Sequence, residues 1–313
     1  MENINLIGID GGGSKTRGVL KSGDTILAET QMGTTRVGSI GTGESCERVL
    51  NLIKDLCKTA GMELNEVEGI VVGLAGIWLE EERKRYANLL RTLARNEKTP
   101  INEVLLTSDA EIALVGALGG KPGIIQIAGT GTITLAKNSN GEMFRCSGWG
   151  IEIDDEGSGA WIGRECLTAI VRALDGRDKP TDMTDKVAER YTTFNKNNPR
   201  TLVAALNEKK FEYHDFTKLA MESAENGDEV ALSILERASQ HLTESIKTLH
   251  KKLGTKSSDV CLMGGMLENE TILLKLLKKN LDAKSGIKIK KPIGNALDGA
   301  LLLAADMVEI KEI

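Results

Sequence analysis

The sequence predicts an α/β protein built from two domains. Its 313 residues exceed what one core ordinarily organises and suit two domains of about 150 residues each. A strand that runs through a glycine-rich turn into a second strand occurs near the start of each half, at 4–21 and at 123–137. Strands then alternate with amphipathic helices, which indicates sheets that pack against helices.

The first half begins with the hairpin and continues with helices and strands. Residues 4–9 read as a buried strand, and two β-rich segments follow at 17–21 and 25–30. Apolar residues recur at helical spacing from Glu44 to Ala60, which predicts an amphipathic helix. The remaining predicted elements of this half are a strand at 69–74, a helix at 80–95 and a strand at 104–107.

The second half repeats the opening pattern. Strands are expected at 123–128 and 133–137, on either side of the turn Gly129–Thr132. The later predicted elements are a helix after Gly159, helical sequence from the 180s to the 220s, a helix at 228–252, a strand at 260–263, a helix ending at 280, a strand at 286–290 and a final helix at 295–307.

Composition indicates an ordinary cytoplasmic protein. The net charge is -5 and there is no basic stripe interleaved with aromatic residues, so nucleic acid is not an expected partner. The first residues lack the positive region of a secretion signal, and Asp298 and Asp306 interrupt the apolar stretch 296–308, so no membrane association is expected.

Cysteines and histidines give no sign of a metal centre. No C-x-x-C pair occurs, so reduced structural thiols are expected at Cys46, Cys57, Cys146, Cys166 and Cys261. The histidines lack metal-ligand spacing and lie far from any glycine-rich turn, so a catalytic role is not expected for His214, His241 or His250.

The turn that follows the first strand predicts an anion site. It reads Asp10-Gly11-Gly12-Gly13-Ser14-Lys15-Thr16 and leads into a strand, whereas a dinucleotide fingerprint or a Walker A loop must open a helix. Residues without side chains let backbone N–H groups approach phosphate, and Asp10 is placed to organise Mg²⁺. A purely structural tight turn remains an alternative.

Two further glycine segments extend this pattern. Gly129–Thr132 offers the same backbone chemistry from the second half, and two such turns could hold the terminal phosphates of one nucleotide. Gly264 and Gly265 follow a strand, where the absence of side chains would admit an adenine or ribose. An ordinary strand-to-helix turn explains the last pair equally well.

Asp109 is the candidate catalytic carboxylate. It follows the last strand of the first half, and one carboxylate can both orient a hydroxyl and accept its proton during phosphoryl transfer. Aspartate is also a favoured N-cap, so capping of the helix at 111–118 is the alternative.

In their order and context, these motifs resemble the BadF/BadG-type ATPase family, and specifically its N-acetylglucosamine kinase branch. The motifs are Asp10-Gly-Gly-Gly-Ser-Lys-Thr, Thr107-Ser-Asp109-Ala, Ala128-Gly-Thr-Gly-Thr, Gly148-Trp-Gly, Asp155-Glu-Gly-Ser-Gly-Ala-Trp-Ile-Gly-Arg164 and Met263-Gly-Gly265. The resemblance covers essentially the whole chain. It implies two ribonuclease-H-like domains of the actin-like ATPase superfamily that flank an ATP and sugar cleft, at 1–118 and 119–294, and a helix at 295–313 that packs back on the first domain.

The resemblance also implies roles for individual positions in an ATP- and Mg²⁺-dependent kinase of an amino sugar such as N-acetylglucosamine. Asp109 corresponds to the base. Glu156 and Ser158 are expected to support the residues that contact the substrates, without contacting the substrates themselves. The phosphate and adenosine positions are Gly12, Gly13, Ser14, Lys15, Gly129, Thr130, Gly131, Thr132, Gly264 and Gly265. The sugar-contacting positions are Thr130, Gly148, Trp149 and Asp155, and a homodimer is a further candidate assembly.

The sequence departs from the family pattern at two places. Asp154 stands where glycine is usual, and Thr34-Thr35-Arg36 stands where the hexosamine kinases carry an asparagine near the sugar. Because arginine presents a fork of donors suited to a carboxylate, we hypothesise an acidic acceptor such as N-acetylmuramic acid or a ketodeoxy sugar acid. Arg36 pointing to solvent, or pairing with an acidic neighbour, is the alternative.

Two rival functions belong to other classes. One is an ATPase that activates a dehydratase through a bridging iron–sulfur cluster, which needs cysteines at the nucleotide turns, and neither glycine turn contains one. The other is a sensor that binds sugar and nucleotide without transfer, for which Asp109 would serve no purpose. A hexose kinase of the same fold also remains an alternative.

Overall fold

The computed structural model describes residues 4–281 and 285–309. The chain divides into two compact units: unit 1 comprises the residues up to 121 together with those from 291 onward, and unit 2 comprises 122–290. The division lies beside the predicted limits at 118 and 294. Among the described residues, none of the helices combines the length and the hydropathy of a membrane-spanning segment.

The regular elements alternate between strands and helices in both units. The first ten are β1 Asn5–Gly11, β2 Lys15–Ser22, β3 Thr25–Gly33, α1 Val37–Ile40, α2 Thr42–Ala60, β4 Gly69–Leu74, α3 Glu80–Asn96, β5 Val104–Thr107, α4 Asp109–Leu118 and β6 Gly123–Ala128. The others are β7 Thr132–Lys137, β8 Met143–Cys146, α5 Gly159–Leu174, α6 Met183–Arg190, α7 Arg200–Asn207, α8 Thr217–Glu225, α9 Glu229–Leu253, β9 Ser258–Met263, α10 Gly265–Glu268, α11 Ile272–Asn280, β10 Ile287–Lys290 and α12 Ala296–Glu309.

Unit 1 is built on a five-stranded sheet in the order β3-β2-β1-β4-β5. The β1–β2 and β2–β3 pairs are antiparallel, whereas β1–β4 and β4–β5 are parallel, as the hairpin followed by crossovers predicts. All six residues of β4 are buried, which is typical of a strand covered on both faces. The carboxyl ends of β1, β4 and β5 therefore lie at one edge of the sheet. Asp10 lies near the end of β1, and Asp109 follows the end of β5.

Helix α12 packs against α4, β1 and β4 of unit 1. Two glycines let the backbones of α4 and α12 touch. A Cβ atom on Gly116 would overlap the carbonyl oxygen of Asn295, and one on Gly299 would overlap that of Ile112. This close approach fixes the position of α4, the helix that begins with Asp109.

Unit 2 repeats the layout with a sheet in the order β10-β9-β6-β7-β8. The β6–β7 hairpin is antiparallel, and β9 lies parallel to β6. Strand β8 was not predicted, because its four residues are at most half-buried and lack an apolar alternation. Helices α5, α8 and α9 supply much of the core, in which Trp161, Phe216 and Leu242 are buried.

Candidate active site

The first glycine turn, Gly12–Lys15, connects β1 and β2 in unit 1. The amide of Gly12 donates to the carbonyl of Lys15 at 3.1 Å and closes the turn. Gly13, Ser14 and Lys15 are exposed, and no atom lies within 4 Å of a Cβ position on Gly13. The open part of the turn therefore spans three residues, while the Gly12 amide is already used internally.

Asp10 is a partly buried residue near the carboxyl end of β1, and the neighbouring strand holds its side chain. It lies directly opposite Arg17, whose Nη2 donates to Asp10 Oδ2 at 2.6 Å. No hydrogen bond to Asp10 Oδ1 occurs within the described ranges. One oriented oxygen suits Mg²⁺, which usually takes one or two carboxylates and completes its shell with phosphate oxygens and water.

Asp109 is the first residue of α4, directly after its N-cap. Ser108 is the cap, and its Oγ accepts from the amide of Glu111 at 3.1 Å. The interpretation of Asp109 as the cap is therefore wrong. The Asp109 carboxylate accepts from the amide of Ala110 at 2.9 Å.

Burial raises the pKa of Asp109 to about 6, and the negative charge of Asp10 acts in the same direction. The backbone amides at the start of α4 and the guanidinium of Arg36 lower the pKa, but they do not outweigh burial. A carboxylate with a pKa near neutrality is a stronger proton acceptor than an ordinary aspartate and is still ionised at pH 7.

The segment Thr34–Arg36 is tied to the first glycine turn. Thr34 Oγ1 donates to the carbonyl of Gly12 at 3.2 Å and accepts from the amide of Arg36 at 3.0 Å. The next hydroxyl, Thr35 Oγ1, is buried and lies 2.9 Å from Thr16 Oγ1. These bonds set the position of Arg36 relative to the turn.

The Arg36 side chain is exposed and makes no ion pair with any residue that the structure describes. Its charge nevertheless acts on the carboxylate of Asp109. The alternative in which Arg36 pairs with an acidic neighbour thus has no support in the described residues. Unit 1 brings together Asp10, the first glycine turn, Arg36 and Asp109.

The second glycine turn, Gly129–Thr132, connects β6 and β7 in unit 2 and is fastened to α5. The amide of Gly159 donates to the carbonyl of Gly129 at 2.9 Å, and that of Ala160 donates to the carbonyl of Thr130 at 3.0 Å. Ser158 caps α5 by accepting from the amide of Trp161 at 3.1 Å. The turn carbonyls are thereby held by α5, and the side chain of Thr130 is exposed.

The hydroxyl of Thr132 faces the interior of unit 2. It donates to the carbonyl of Ile127 at 2.9 Å and accepts from Nε2 of Gln126 at 2.8 Å. Thr132 can therefore offer only its backbone to a phosphate, whereas Thr130 can also offer its hydroxyl.

Asp155 lies next to the second glycine turn. It has a φ of 58°, it is buried, and its Oδ1 accepts from the amide of Gly150 at 3.2 Å. Its Oδ2 is 2.9 Å from the position that a Cβ on Gly131 would take. Burial raises the pKa of Asp155. The neighbouring carboxylate, Asp154, accepts from the amide of Trp149 at 3.0 Å and so orders the same loop.

Gly148 and Trp149 approach the turn from β8. Gly148 has a φ of 84°, and a Cβ there would lie 2.8 Å from the carbonyl of Thr132, so the site requires glycine. Trp149 is 61% exposed, and the Arg145 guanidinium lies 3.8 Å from its ring centroid. An exposed indole backed by a cation offers a flat surface to a ligand.

Gly264 packs against the end of β6. It has a φ of 89°, and a Cβ there would overlap the carbonyl oxygen of Ala128. Gly265 begins α10, and no atom lies within 4 Å of its Cβ position. Unit 2 therefore brings together the second glycine turn, Asp155, Gly148, Trp149 and the Gly264–Gly265 pair.

A model of the BadF/BadG/BcrA/BcrD ATPase family matches residues 7–304. The chain belongs to this family. The resemblance predicted from the motifs is thus confirmed, and membership of an ATPase family makes ATP the nucleotide.

Curated relatives align with most of the length of this chain. An N-acetylmuramic acid/N-acetylglucosamine kinase of Clostridium acetobutylicum is 30% identical over 304 residues, which cover 96% of this chain and 97% of the relative. An N-acetyl-D-glucosamine kinase of Dictyostelium discoideum is 29% identical over 291 residues, which cover 88% of this chain and 89% of the relative.

Solved structures confirm the fold class. A Chromobacterium violaceum protein provisionally described as an N-acetylglucosamine kinase matches with a TM-score of 0.74 and 27% identity, covering 96% of this chain and 99% of that one. A ROK hexokinase from Thermus thermophilus matches with a TM-score of 0.59 and 16% identity, covering 97% and 100%. The predicted two-domain, actin-like ATPase fold is correct.

Two features of this BadF/BadG/BcrA/BcrD family member were missed by sequence reasoning. Glu111 bonds back to the backbone just before Asp109, although the spacing of Ser108 and Glu111 is a recognisable capping box. Arg145 donates to the carbonyls of Ser147 and Gly148 and so supports the loop before Trp149. No local sequence pattern predicts that Arg145 supports this loop.

Proposed function

We propose that this chain is an ATP-dependent kinase that phosphorylates a hydroxyl of an amino sugar, such as N-acetylglucosamine or N-acetylmuramic acid. The observation that carries the proposal is Asp109 at the start of α4, where burial raises its pKa to about 6 and the charges of Asp10 and Arg36 act on its carboxylate. The Clostridium acetobutylicum relative, with its two named sugars, supports this substrate class.

In the proposed mechanism Asp109 accepts the proton of the sugar hydroxyl, and the hydroxyl oxygen attacks the γ-phosphate. The exposed amides of Gly13 and Ser14, with Lys15, bind phosphate oxygens from unit 1, and Thr130 and Gly131 bind them from unit 2. Asp10 would hold Mg²⁺, which would offset negative charge on the phosphates when bound.

Sugar and adenosine contacts come from unit 2 in this proposal. Asp155 accepts hydrogen bonds from sugar hydroxyls, Trp149 covers one face of the ring, and the glycine backbone at Gly148 allows close approach. Gly264 and Gly265 leave room for the adenosine. A cytoplasmic location and a homodimer also belong to the proposal.

The rate of transfer should depend on pH through Asp109. We expect kcat/KM for the sugar to be half-maximal near pH 6 and to fall about tenfold per pH unit below it, because only the ionised carboxylate accepts a proton. Initial rates from pH 5 to 8, with nucleotide binding measured over the same range, would check this. A rate that stays constant down to pH 5 would contradict the assignment.

Arg36 should distinguish acidic from neutral sugars. With no competing ion pair among the described residues, its guanidinium is available to the lactyl carboxylate of N-acetylmuramic acid. We expect Arg36→Ala to raise KM for that sugar about tenfold to hundredfold and to change KM for N-acetylglucosamine less than threefold.

Parallel kinetics on both sugars, and on a ketodeoxy sugar acid, would test the whole proposal through coupled ADP release. Arg95→Ala is the control, because Arg95 is an exposed arginine in the last turn of α3. Equal effects of Arg36→Ala on both sugars would contradict the hypothesis of an acidic acceptor but would not contradict the kinase function. Absence of phosphorylated product from every sugar would refute the kinase itself.

A further inference from the structure

The orientation of the Asp109 side chain depends on the backbone at the start of α4. The hydrogen-bond donors that act on its carboxylate are backbone amides, those of Ala110 and of Asp109 itself. Across residues 4–281 and 285–309, no side chain donates to it. Whatever fixes the peptide units at 107–109 therefore also fixes the direction of the candidate base.

Glu111 fixes those peptide units from the same helical turn. Its Oε2 accepts from the amide of Ser108 at 3.1 Å and from the hydroxyl of Thr107. In return, the Glu111 amide donates to Ser108 Oγ at 3.1 Å. This reciprocal cap ties the two residues that precede Asp109 to one carboxylate.

Arg83 connects that carboxylate to a different helix, α3. Its Nη2 lies 3.0 Å from Glu111 Oε1 and 2.9 Å from Oε2. The side chains are 20% and 16% exposed, so this is not a solvated surface pair. A largely buried ion pair is a weak source of net stability but strongly resists the loss of one partner.

The Arg83 side chain also lowers the stability of the fold in one respect, so stability alone does not explain why an arginine is present here. Nε of Arg83 is buried and has no hydrogen-bond partner in the part of the chain that the structure describes. A buried donor without a partner lowers the stability of the folded state, because it loses its hydrogen bonds to water without replacing them. Such a cost is expected where function, rather than stability, selects the residue.

We propose that Glu111 and Arg83 are positioning residues that hold the 107–109 backbone so that Asp109 is aimed at the acceptor hydroxyl. The proposal rests on the proposed kinase function. A misplacement of about 1 Å at a reacting group can lower a rate about a hundredfold. The Arg83–Glu111 pair should therefore affect kcat rather than the binding of either substrate.

The test compares Glu111→Gln, Arg83→Met and the double variant with wild type in steady-state kinetics and thermal unfolding. We expect each single variant to lose about tenfold to hundredfold in kcat, with KM for ATP and for the sugar changing less than threefold. The double variant removes both charges, so it should regain thermal stability relative to the single variants but keep the low kcat.

Two further variants separate positioning from folding. Arg83→Lys keeps the charge and should recover part of the lost kcat. Lys84→Met removes a cation from the same helix whose pair with Glu80 is largely exposed, and it should leave kcat unchanged.

An active wild type whose single variants keep kcat within threefold would overturn the positioning role and leave the kinase standing. A double variant that regains kcat together with stability would also overturn it, because the loss would then be structural. A wild type that phosphorylates no sugar would refute the proposed kinase and the positioning role together.

Discussion

Asp109→Asn is expected to lower kcat by about a hundredfold to ten-thousandfold, the usual contribution of a general base. Asparagine has nearly the same shape and can still accept the amide of Ala110, which donates to Asp109 Oδ1 at 2.9 Å. It cannot accept a proton from the sugar. The fold and the first glycine turn should therefore stay intact while transfer is lost.

Steady-state rates with titration of a non-hydrolysable ATP analogue would check this expectation. Nucleotide affinity should remain within about threefold of wild type, since Asp109 acts on the acceptor. Asp55→Asn is a suitable control, because Asp55 is an exposed carboxylate on α2. A folded Asp109→Asn variant that retained a tenth of the wild-type kcat would place the base elsewhere.

Gly116→Ala should destabilise unit 1 by about 3 kcal/mol or more. The added methyl group would overlap the carbonyl oxygen of Asn295 and would come within 2.9 Å of the amide nitrogen of Gly299. Overpacking in a core typically costs about 1–3 kcal/mol, and backbone atoms yield less readily than side chains. Because α4 begins with Asp109, kcat should fall as well.

Gly43→Ala provides the matched control for this prediction. Gly43 lies in the first turn of α2, and no atom is within 4 Å of its Cβ position. Alanine there should be neutral or stabilising by up to about 1 kcal/mol. Urea unfolding of both variants would compare them, and equal midpoints would show that α4 and α12 can separate to admit the methyl group.

Long apolar runs and helical periodicity were sufficient to predict most of the fold. The structure contains both β4, predicted from its buried run, and α2, predicted from its apolar face. Both signals lie within a single element, so they can be detected without knowing which elements pack together. The four-residue α1 and β8 were missed, since elements of that length have no period to detect. Their formation depends on neighbours that are remote in sequence.

The candidate site was only partly predictable. Glycine spacing located both turns. The cap of α4 is Ser108, one residue before Asp109, the alternative cap considered from the sequence; serine and aspartate are both favoured caps and adjoin here. The contact between Arg83 and Glu111 joins residues 28 positions apart, and local patterns contain no information about such pairs. The inward hydroxyl of Thr132 likewise follows from its buried hydrogen bonds.

Helix α12 follows unit 2 in the chain, yet it covers α4 and β1 of unit 1. On the ribosome, unit 2 can therefore emerge and close its core before the residues that complete unit 1 have been translated. Until α12 arrives, the apolar surface around Val71 and Ile112 lacks its natural cover, because Ala300 and Ala304 belong to the same buried cluster. Leu6, Val71 and Ile112 are thus translated before unit 2 but reach their final packing only after α12 has been made, and a nascent chain stalled before α12 should be a substrate for chaperones.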